Sequence, residues 1–168
     1  NDMLEYGKNF HKEDNAKKWV DGQKKKLEEV QSKLKNLPEV TAFVFDSEDG
    51  GDPFTVFEGY TTNILKLIGV KNVMAGQNVD KTWAKTSWES FVQANPDYII
   101  IVDYSTSDRN DGDFEKKVEK LKNNPQLASV KAIKENHFIR VRLSEITPGV
   151  RTVDALERLA KEMHPDMK

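Results

Sequence analysis

The run Tyr-Ile-Ile-Ile-Val at residues 98–102 constrains the fold of this chain more than any other segment. All five residues are apolar, without the alternation that a half-solvated strand shows. Such a strand is covered on both faces, which is typical of a parallel sheet between two layers of helices. Asp103 and Tyr104 follow directly. In open α/β sheets, ligands bind at this carboxyl end of the strands.

The residues before this run predict a helix with clear ends. Thr86 and Glu89 have the spacing of a capping box, in which each side chain satisfies a backbone N–H of the first turn. Pro96 ends the helix, because the residue before a proline is displaced from the α region. Residues 81–104 are therefore predicted to form a helix that leads directly into a buried strand.

The rest of the chain after Pro38 alternates between strand-like and helix-like patterns. The predicted strands lie at 40–45, 72–74 and 137–141, the predicted helices at 60–68, 111–123 and 150–163, and a turn-rich loop at 47–53. Alternation of this kind builds a parallel or mixed sheet with helices on both faces. We therefore predict an α/β fold, a three-layer sandwich with a mostly parallel central sheet.

A long charged helix is predicted at residues 12–36, before this α/β region. Its apolar residues, among them Val20, Leu27, Val30 and Leu34, form a narrow stripe along one side. At about 1.5 Å per residue it spans roughly 37 Å. A helix this polar packs one stripe on its own domain or bridges two bodies. We divide the chain into residues 1–37, an entry segment with this helix, and residues 38–168, an α/β lobe.

The composition excludes several classes of protein. Charged residues make up 32% of the chain and nearly balance, with a net charge of -2, so no global attraction to nucleic acid is expected. The absence of cysteine excludes disulfides and thiolate sites. No apolar run approaches the roughly 20 residues that span a bilayer. The opening Asn1-Asp2-Met3 is what we expect of a fragment or a processed product.

Motifs for catalysis are absent from the sequence, which contains neither a glycine-rich nucleotide loop nor G-x-S-x-G. The acidic residues Glu48, Asp49 and Asp52 do not have the spacing of a calcium loop. The three histidines fall on different predicted elements, so no metal site is predicted. Asp103 is placed to act as a general base, although no motif supplies a partner, and a lone acid at such a position is more often a helix cap or a ligand contact.

Aromatic, basic and acidic residues collect in the loops at one edge of the predicted sheet. Aromatic rings and arginine suit a bulky, partly anionic ligand, through stacking and charge-assisted hydrogen bonds. The candidate ligand-binding residues are Phe54, Trp83, Tyr104, Arg142 and Glu145. For Phe54, Trp83 and the neighbouring Phe57, packing in the core beneath the loops is the alternative.

Four passages carry a resemblance to a known family: GKNFHKEDNAKKWVDGQKKKLEEVQSKL, DPFTVFEGYTTNILKLIGVKNV, TWAKTSWESFVQANPDYIIIVDY and VKAIKENHFIRVRLSEITPGVRTVDALERLAKEMHPD. In this order they resemble the carboxyl-terminal half of the substrate-binding proteins of ABC importers, the type in which a single long helix joins two lobes. Those proteins capture ferric siderophores, haem or vitamin B12. The family's amino-terminal lobe has no counterpart in this chain.

The resemblance implies a function. The chain would be one lobe of an extracytoplasmic solute-binding protein, periplasmic or a cell-surface lipoprotein, which captures an iron-siderophore-like complex, with haem or cobalamin as other possible ligands. It would perform no chemistry, hold no cofactor of its own, and deliver its ligand to a membrane permease, with Glu58 as the docking acid. Two other classes stay open: a small α/β enzyme that uses Asp103 or Glu145 as acid or base, and a stand-alone interaction domain.

Overall fold

Strands and helices alternate in the computed structural model, which describes residues 13–76, 82–105, 112–142, 145 and 152–165. In chain order the elements are α1 (Glu13–Leu34), β1 (Val40–Phe45), β2 (Ser47–Asp49), β3 (Asp52–Val56), α2 (Tyr60–Lys66), β4 (Val70–Asn72), β5 (Trp83–Lys85), α3 (Trp88–Ala94), β6 (Tyr98–Val102), α4 (Asp113–Lys122), a 3-10 turn (Pro125–Leu127), α5 (Lys131–Lys134), β7 (Phe138–Val141) and α6 (Thr152–Met163). The predicted α/β class is confirmed.

The main sheet has four parallel strands in the order β4-β1-β6-β7. Strand β6 lies between β1 and β7, with Ile100 opposite Val44 on one side and Ile139 on the other. All five residues of β6 are buried. The predicted central strand, covered on both faces, is confirmed.

Two hydrophobic cores lie on opposite faces of this sheet. Ile100 and Val102 of β6 face a core that includes residues of α1, α2 and α6. Ile99 and Ile101 face a second core that includes residues of α3, α4 and α5. Because successive side chains of a strand point to opposite faces, an uninterrupted apolar strand needs both helical layers. The predicted three-layer sandwich is confirmed.

Helix α1 is continuous and packs along the α/β lobe. Val20, Val30 and Leu34 of its apolar stripe are buried, and the ammonium of Lys26 pairs with Asp154 and Glu157 of α6. The lobe itself therefore covers the stripe, while the rest of the helix surface is largely exposed. No helix in the described residues is both long and apolar enough to cross a membrane.

The predicted loop at residues 47–53 was wrong, because this segment forms a β-hairpin. Asp49 and Asp52 pair across a two-residue turn formed by Gly50 and Gly51, whose φ angles are 63° and 92°. Positive φ at both central residues matches the twist of a tight hairpin, and glycine adopts it without steric cost. Strand β5 joins this hairpin to complete a small antiparallel sheet in the order β2-β3-β5.

The predicted cap of α3 was wrong by one residue. Ser87 is the N-cap, and its hydroxyl accepts a hydrogen bond of 3.0 Å from the backbone N–H of Ser90. The backbone N–H of Thr86 donates instead to Pro53, at 3.0 Å. Thr86 thus extends the pairing of β5 with β3, so the helix begins one residue later than the capping-box spacing indicates.

Asp97 ties β1 to β6 at the amino edge of the main sheet. Its carboxylate accepts hydrogen bonds from the backbone N–H and the hydroxyl of Thr41, at 3.0 and 3.1 Å, and pairs with Lys131 at 3.1 Å. Partial burial alone would raise the pKa of Asp97, but the bonds from Thr41 and Lys131 outweigh it and lower that pKa. Folding therefore favours the ionised carboxylate.

We expect Asp97→Ala to lower the free energy of unfolding by about 1.5–3 kcal/mol at pH 7, because charge-assisted hydrogen bonds are lost. The folded pKa lies below the unfolded value, so this stabilisation is present above about pH 4 and is lost as the pH falls through the folded pKa. Urea unfolding at pH 7 and pH 3 measures it, with the exposed Asp52→Ala as control. An equal loss at both pH values would contradict the prediction.

Candidate functional site

The strand order changes direction between β1 and β6, so that a crevice is expected there at the carboxyl edge of the main sheet. From β1 the chain passes through α2 to β4 on one side, and it then crosses to β6 on the other side. In open α/β sheets such a change of direction opens a ligand crevice beyond the strand ends. Asp46 follows β1 at this point, and Asp103 and Tyr104 follow β6.

Tyr104 lies at this crevice and is held at three points. Its backbone N–H donates to the Asp113 carboxylate of α4 at 2.8 Å, and its hydroxyl donates to the Asp46 carboxylate. The ammonium of Lys117 lies 4.6 Å from the centre of its ring, within the range of a cation–π interaction. Tyr104 is nevertheless 50% exposed, so a fixed aromatic ring stands open at the strand ends.

Lys117 anchors the same corner of the site. Its ammonium donates to the backbone carbonyls of Asp46 and Val102, at 2.6 and 2.7 Å, and pairs with Asp113 one helical turn away at 3.0 Å. Asp46 and Val102 lie at the carboxyl ends of β1 and β6. One mostly buried cation therefore binds the ends of both strands.

A second group of polar side chains joins the ends of β6 and β7. One oxygen of the buried Asp103 carboxylate accepts bonds from the backbone N–H and the hydroxyl of Ser105, at 2.8 and 2.6 Å. The other forms an ion pair with Nε of Arg140, whose guanidinium also reaches Ser105 at 3.3 Å and lies 5.9 Å from the Phe114 ring centre. The Arg140 guanidinium is thus held in one orientation, with 44% of the side chain still exposed.

The surroundings of Asp103 stabilise its ionised form, which disfavours a role as general base. Burial alone would raise the pKa of Asp103, but the hydrogen bonds from Ser105 and the charge of Arg140 more than offset it, so that pKa is lowered. A carboxylate stabilised in this way accepts a proton poorly near neutral pH. Instead, the ion pair with Arg140 indicates that the Asp103 carboxylate orients the guanidinium of Arg140.

An open cleft of about 320 Å³ lies beside Arg140, beyond the end of β7. Arg142, Glu145 and Arg158 complete its lining. Arg158 donates two bonds of 2.9 Å to the Glu145 carboxylate and one of 2.9 Å to the backbone carbonyl of Arg140, while the backbone N–H of Arg142 donates to Glu145 at 2.8 Å. Within the described residues, the Arg142 guanidinium itself has no hydrogen-bond or ion-pair partner.

Phe54 and Trp83 lie on the small antiparallel sheet rather than in loops. Their rings stack with centres 6.2 Å apart and planes inclined by 16°, and both side chains are partly buried. Trp83 also packs against the core on the α1, α2 and α6 side, and Phe57 is buried in the opposite core. Part of this aromatic set therefore serves packing, as the alternative interpretation allows, and part of the Phe54–Trp83 pair stays exposed.

Glu58 follows β3 and is exposed on the surface. Its carboxylate accepts a hydrogen bond of 2.5 Å from the backbone N–H of Gly76, which ties the segment between β3 and α2 to the turn after β4. The acid is therefore held in place, and not a freely moving side chain.

The structure brings Tyr104, Arg142 and Glu145 to the carboxyl edge of the main sheet, as the topology predicts, and it adds residues that the sequence did not single out. Asp46 carried the same signal as Asp103, a polar residue directly after a buried strand. Lys117 and Arg158 carried no local signal, because helix positions reveal their partners only once the strands are placed. In the described part of the chain, no group of three acidic or histidine side chains is arranged to hold a metal ion.

Comparison with known proteins gives a consistent result. The family model described as periplasmic binding protein matches residues 1–143. The solved structure of a periplasmic binding protein from Veillonella parvula DSM 2008 is 62% identical, with a TM-score of 0.92, and the match covers 98% of this chain and 55% of that one. No curated protein matches the chain.

Two further solved structures share the fold at low identity. A protein of the ABC-type Fe3+-hydroxamate transport system from Saccharomonospora viridis DSM 43017 is 20% identical, with a TM-score of 0.78 and coverage of 96% of this chain and 53% of that one. A periplasmic haem-binding protein from Roseiflexus sp. RS-1 is 13% identical, with a TM-score of 0.79 and coverage of 99% and 62%. The chain thus spans little more than half the length of these relatives.

We expect Arg140→Met to lower the melting temperature at pH 7 by about 3–12 °C, because the buried Asp103 carboxylate loses its cation. The pKa of Asp103 is lowered in the folded state, so the stabilisation it brings is present above about pH 4 and is lost at lower pH. Calorimetry at pH 7 and pH 3 checks this, with Arg142→Met as the matched control. Equal effects of the two variants at pH 7 would show that the pairing of Arg140 with Asp103 is not stabilising.

Proposed function

The chain belongs to the periplasmic binding protein family, and from this premise we propose that it is the carboxyl-terminal lobe of the solute-binding component of an ABC importer. It captures an iron-siderophore-like complex outside the cytoplasmic membrane and delivers it to a membrane permease. The lobe binds and releases its ligand without chemistry and needs no cofactor of its own. The observation that supports this proposal is the arginine cluster at the carboxyl edge of the sheet, formed by Arg140, Arg142 and Arg158. In this cluster the guanidinium of Arg142 has no partner among the described residues.

The charge balance of the cleft favours an anionic ligand. Its lining has three guanidinium groups, those of Arg140, Arg142 and Arg158, and one carboxylate, that of Glu145. Outside the lining, Arg140 also pairs with Asp103 and Arg158 with Glu162. Arg140 and Arg158 are engaged by these carboxylates, which leaves the guanidinium of Arg142 to form a fork of hydrogen bonds with an oxyanion. Ferric complexes of catecholate or hydroxycarboxylate chelators carry such negative charge.

The ligand wall continues along the same edge. The exposed ring of Tyr104 offers a flat contact at the crevice, and the Phe54–Trp83 pair offers a second aromatic surface on the small sheet. We propose that Phe54, Trp83, Tyr104, Arg142 and Glu145 together form one wall of a cleft. The other wall belongs to an amino-terminal lobe, because the relatives are almost twice as long as this chain.

Helix α1 determines how the two lobes can move relative to each other when the ligand binds. We propose that it connects the two lobes, as the division at residues 1–37 and 38–168 implies. Its stripe is packed on the present lobe and its Lys26 pairs with α6, so the helix and the lobe move as one body. Closure on the ligand is then a small hinge or twist at the far end of the helix.

A panel of probes tests the proposal in the two-lobe protein. Tryptophan fluorescence is titrated with a ferric tris(catecholate), a ferric tris(hydroxamate), haemin and cyanocobalamin. We expect saturable quenching by an anionic ferric chelate with a dissociation constant in the micromolar range or below. Binding of haemin or cyanocobalamin alone would replace the siderophore proposal, and no binding of any probe would contradict capture of this ligand class.

We expect Arg142→Ala to weaken binding of the ferric chelate by about ten- to a hundredfold, because one charged contact to a desolvated ligand contributes about 1.5–3 kcal/mol. The melting temperature should stay nearly unchanged, since the guanidinium has no partner among the described residues. Lys35→Ala, at an exposed position beyond the end of α1, serves as the control. Unaltered affinity would remove Arg142 from the ligand wall.

Glu58 is proposed to dock the loaded protein onto the permease. Its exposed carboxylate is fixed by Gly76, which presents the charge at a defined point next to the small sheet. We expect Glu58→Ala in the full-length protein to leave ligand affinity intact and to slow uptake by cells, with Glu28→Ala on α1 as control. Uptake equal to that of the wild type would exclude Glu58 from docking.

A further inference from the structure

Tyr104 is fixed to an unusual degree for a side chain that is half exposed. An exposed tyrosine ordinarily samples several rotamers, and ordering such a side chain on binding costs conformational entropy. In this chain the backbone N–H, the hydroxyl and the ring face of Tyr104 each have a partner, namely Asp113, Asp46 and Lys117. The ordering cost is therefore met during folding, before any ligand arrives.

The hydroxyl of Tyr104 is committed to this arrangement. It donates a hydrogen bond to Asp46, whose carboxylate is buried and also accepts a hydrogen bond of 2.9 Å from the Ser47 hydroxyl. Partial burial, the bond to Asp46 and the charges of Asp46 and Asp113 all raise the pKa of the Tyr104 phenol. Ferric iron binds the phenolate form of tyrosine, and forming it at this position would place a third negative charge beside two carboxylates.

The positioning of Tyr104 depends on one cation, the ammonium of Lys117. Its ammonium bonds the carbonyls at the ends of β1 and β6, the two strands that carry Asp46 and Tyr104. It also pairs with Asp113, which receives the Tyr104 N–H, and it covers one face of the ring. Removing this ammonium would weaken the positioning of Asp46, of Asp113 and of the Tyr104 ring together.

We propose that Tyr104 meets the ligand through its ring alone, with its oxygen withheld from the ligand's metal by Asp46, and that Lys117 is the residue that positions the ring. This inference rests on the proposed function and narrows its ligand class. Since Tyr104 offers no oxygen to the metal, the proposal favours a ligand whose iron is already saturated by its own donor atoms.

The first test asks whether the oxygen of Tyr104 binds iron, and it needs no knowledge of the ligand. Full-length protein and its Tyr104→Phe variant are titrated with ferric nitrilotriacetate, which has coordination sites open to a phenolate. We expect the two visible absorption spectra to be the same, with no phenolate-to-iron charge-transfer band assignable to Tyr104. A band present in the wild type and absent from Tyr104→Phe would overturn the proposal.

The second test separates the ring from the oxygen, with the ferric tris(catecholate) as probe. We expect Tyr104→Phe to bind within about twofold of the wild type and Tyr104→Ala to bind about tenfold more weakly, since stacking on an aromatic ring is lost. Equal losses in the two variants would overturn the ring assignment. A wild type that does not bind this probe would count against the proposed function, while the spectra with ferric nitrilotriacetate still decide the role of the oxygen.

The third test concerns Lys117. We expect Lys117→Met, which keeps the aliphatic stem, to weaken binding of the same probe by about two- to tenfold through the ordering cost of Tyr104. Lys117→Arg keeps a cation that reaches two carbonyls and should restore most of the affinity, whereas a general structural defect would not depend on the charge. Wild-type affinity in Lys117→Met, or no recovery in Lys117→Arg, would overturn the positioning role.

Discussion

The burial of β6 on both faces is the constraint on which the rest of the lobe depends. Five consecutive apolar residues satisfy their backbone through β1 and β7 and leave no position on the strand for a polar side chain. Polar groups are therefore confined to the two ends, with Asp97 at one edge of the sheet and Asp103 with Tyr104 at the other. Each end must satisfy buried backbone and charged groups, and the two ends do so with different partners.

The carboxyl edge shows how this requirement shapes the site. The strand ends leave carbonyls that need donors, and Lys117 supplies them for β1 and β6. The buried Asp103 needs a cation, and Arg140 supplies it. Lys117 comes from α4, which packs on the sheet through apolar side chains, and Arg140 comes from β7, which pairs with β6. The exposed ring of Tyr104 is thus positioned by Lys117, and the guanidinium of Arg140 by Asp103, and the fold already requires both of these contacts at the strand ends.

The sequence predicted the parts of this structure that depend on local patterns. The central strand, the three layers and the helices on both faces follow from apolar periodicity, and these predictions are confirmed. The hairpin was missed because its first strand, Ser47–Asp49, is short and entirely polar, so no alternation of apolar residues accompanies the two glycines of the turn. The cap of α3 moved because the backbone of Thr86 bonds to Pro53 and so continues the pairing of β5 with β3. Asp46 and Lys117 meet across 71 residues of chain, a distance that no local pattern spans. The roles proposed for Arg142 and Glu58 stay predictions.

Cavity volume alone does not identify the ligand-binding edge, because the amino edge holds a cleft of similar size, about 330 Å³. The ionised groups that line it, Glu39 and Asp97 against Lys131, leave a net negative charge, and Asp97 and Lys131 already satisfy each other. An anion entering there would displace a carboxylate from its own cation. In the lining of the carboxyl-edge cleft the excess is positive, with three arginines and one glutamate, and the guanidinium of Arg142 is unpaired within the described residues. The unpaired guanidinium of Arg142, rather than the size of either cavity, is therefore the feature on which the proposal of an anionic ligand at the carboxyl edge rests, because ligand choice depends on the side chains of a site and not on the fold.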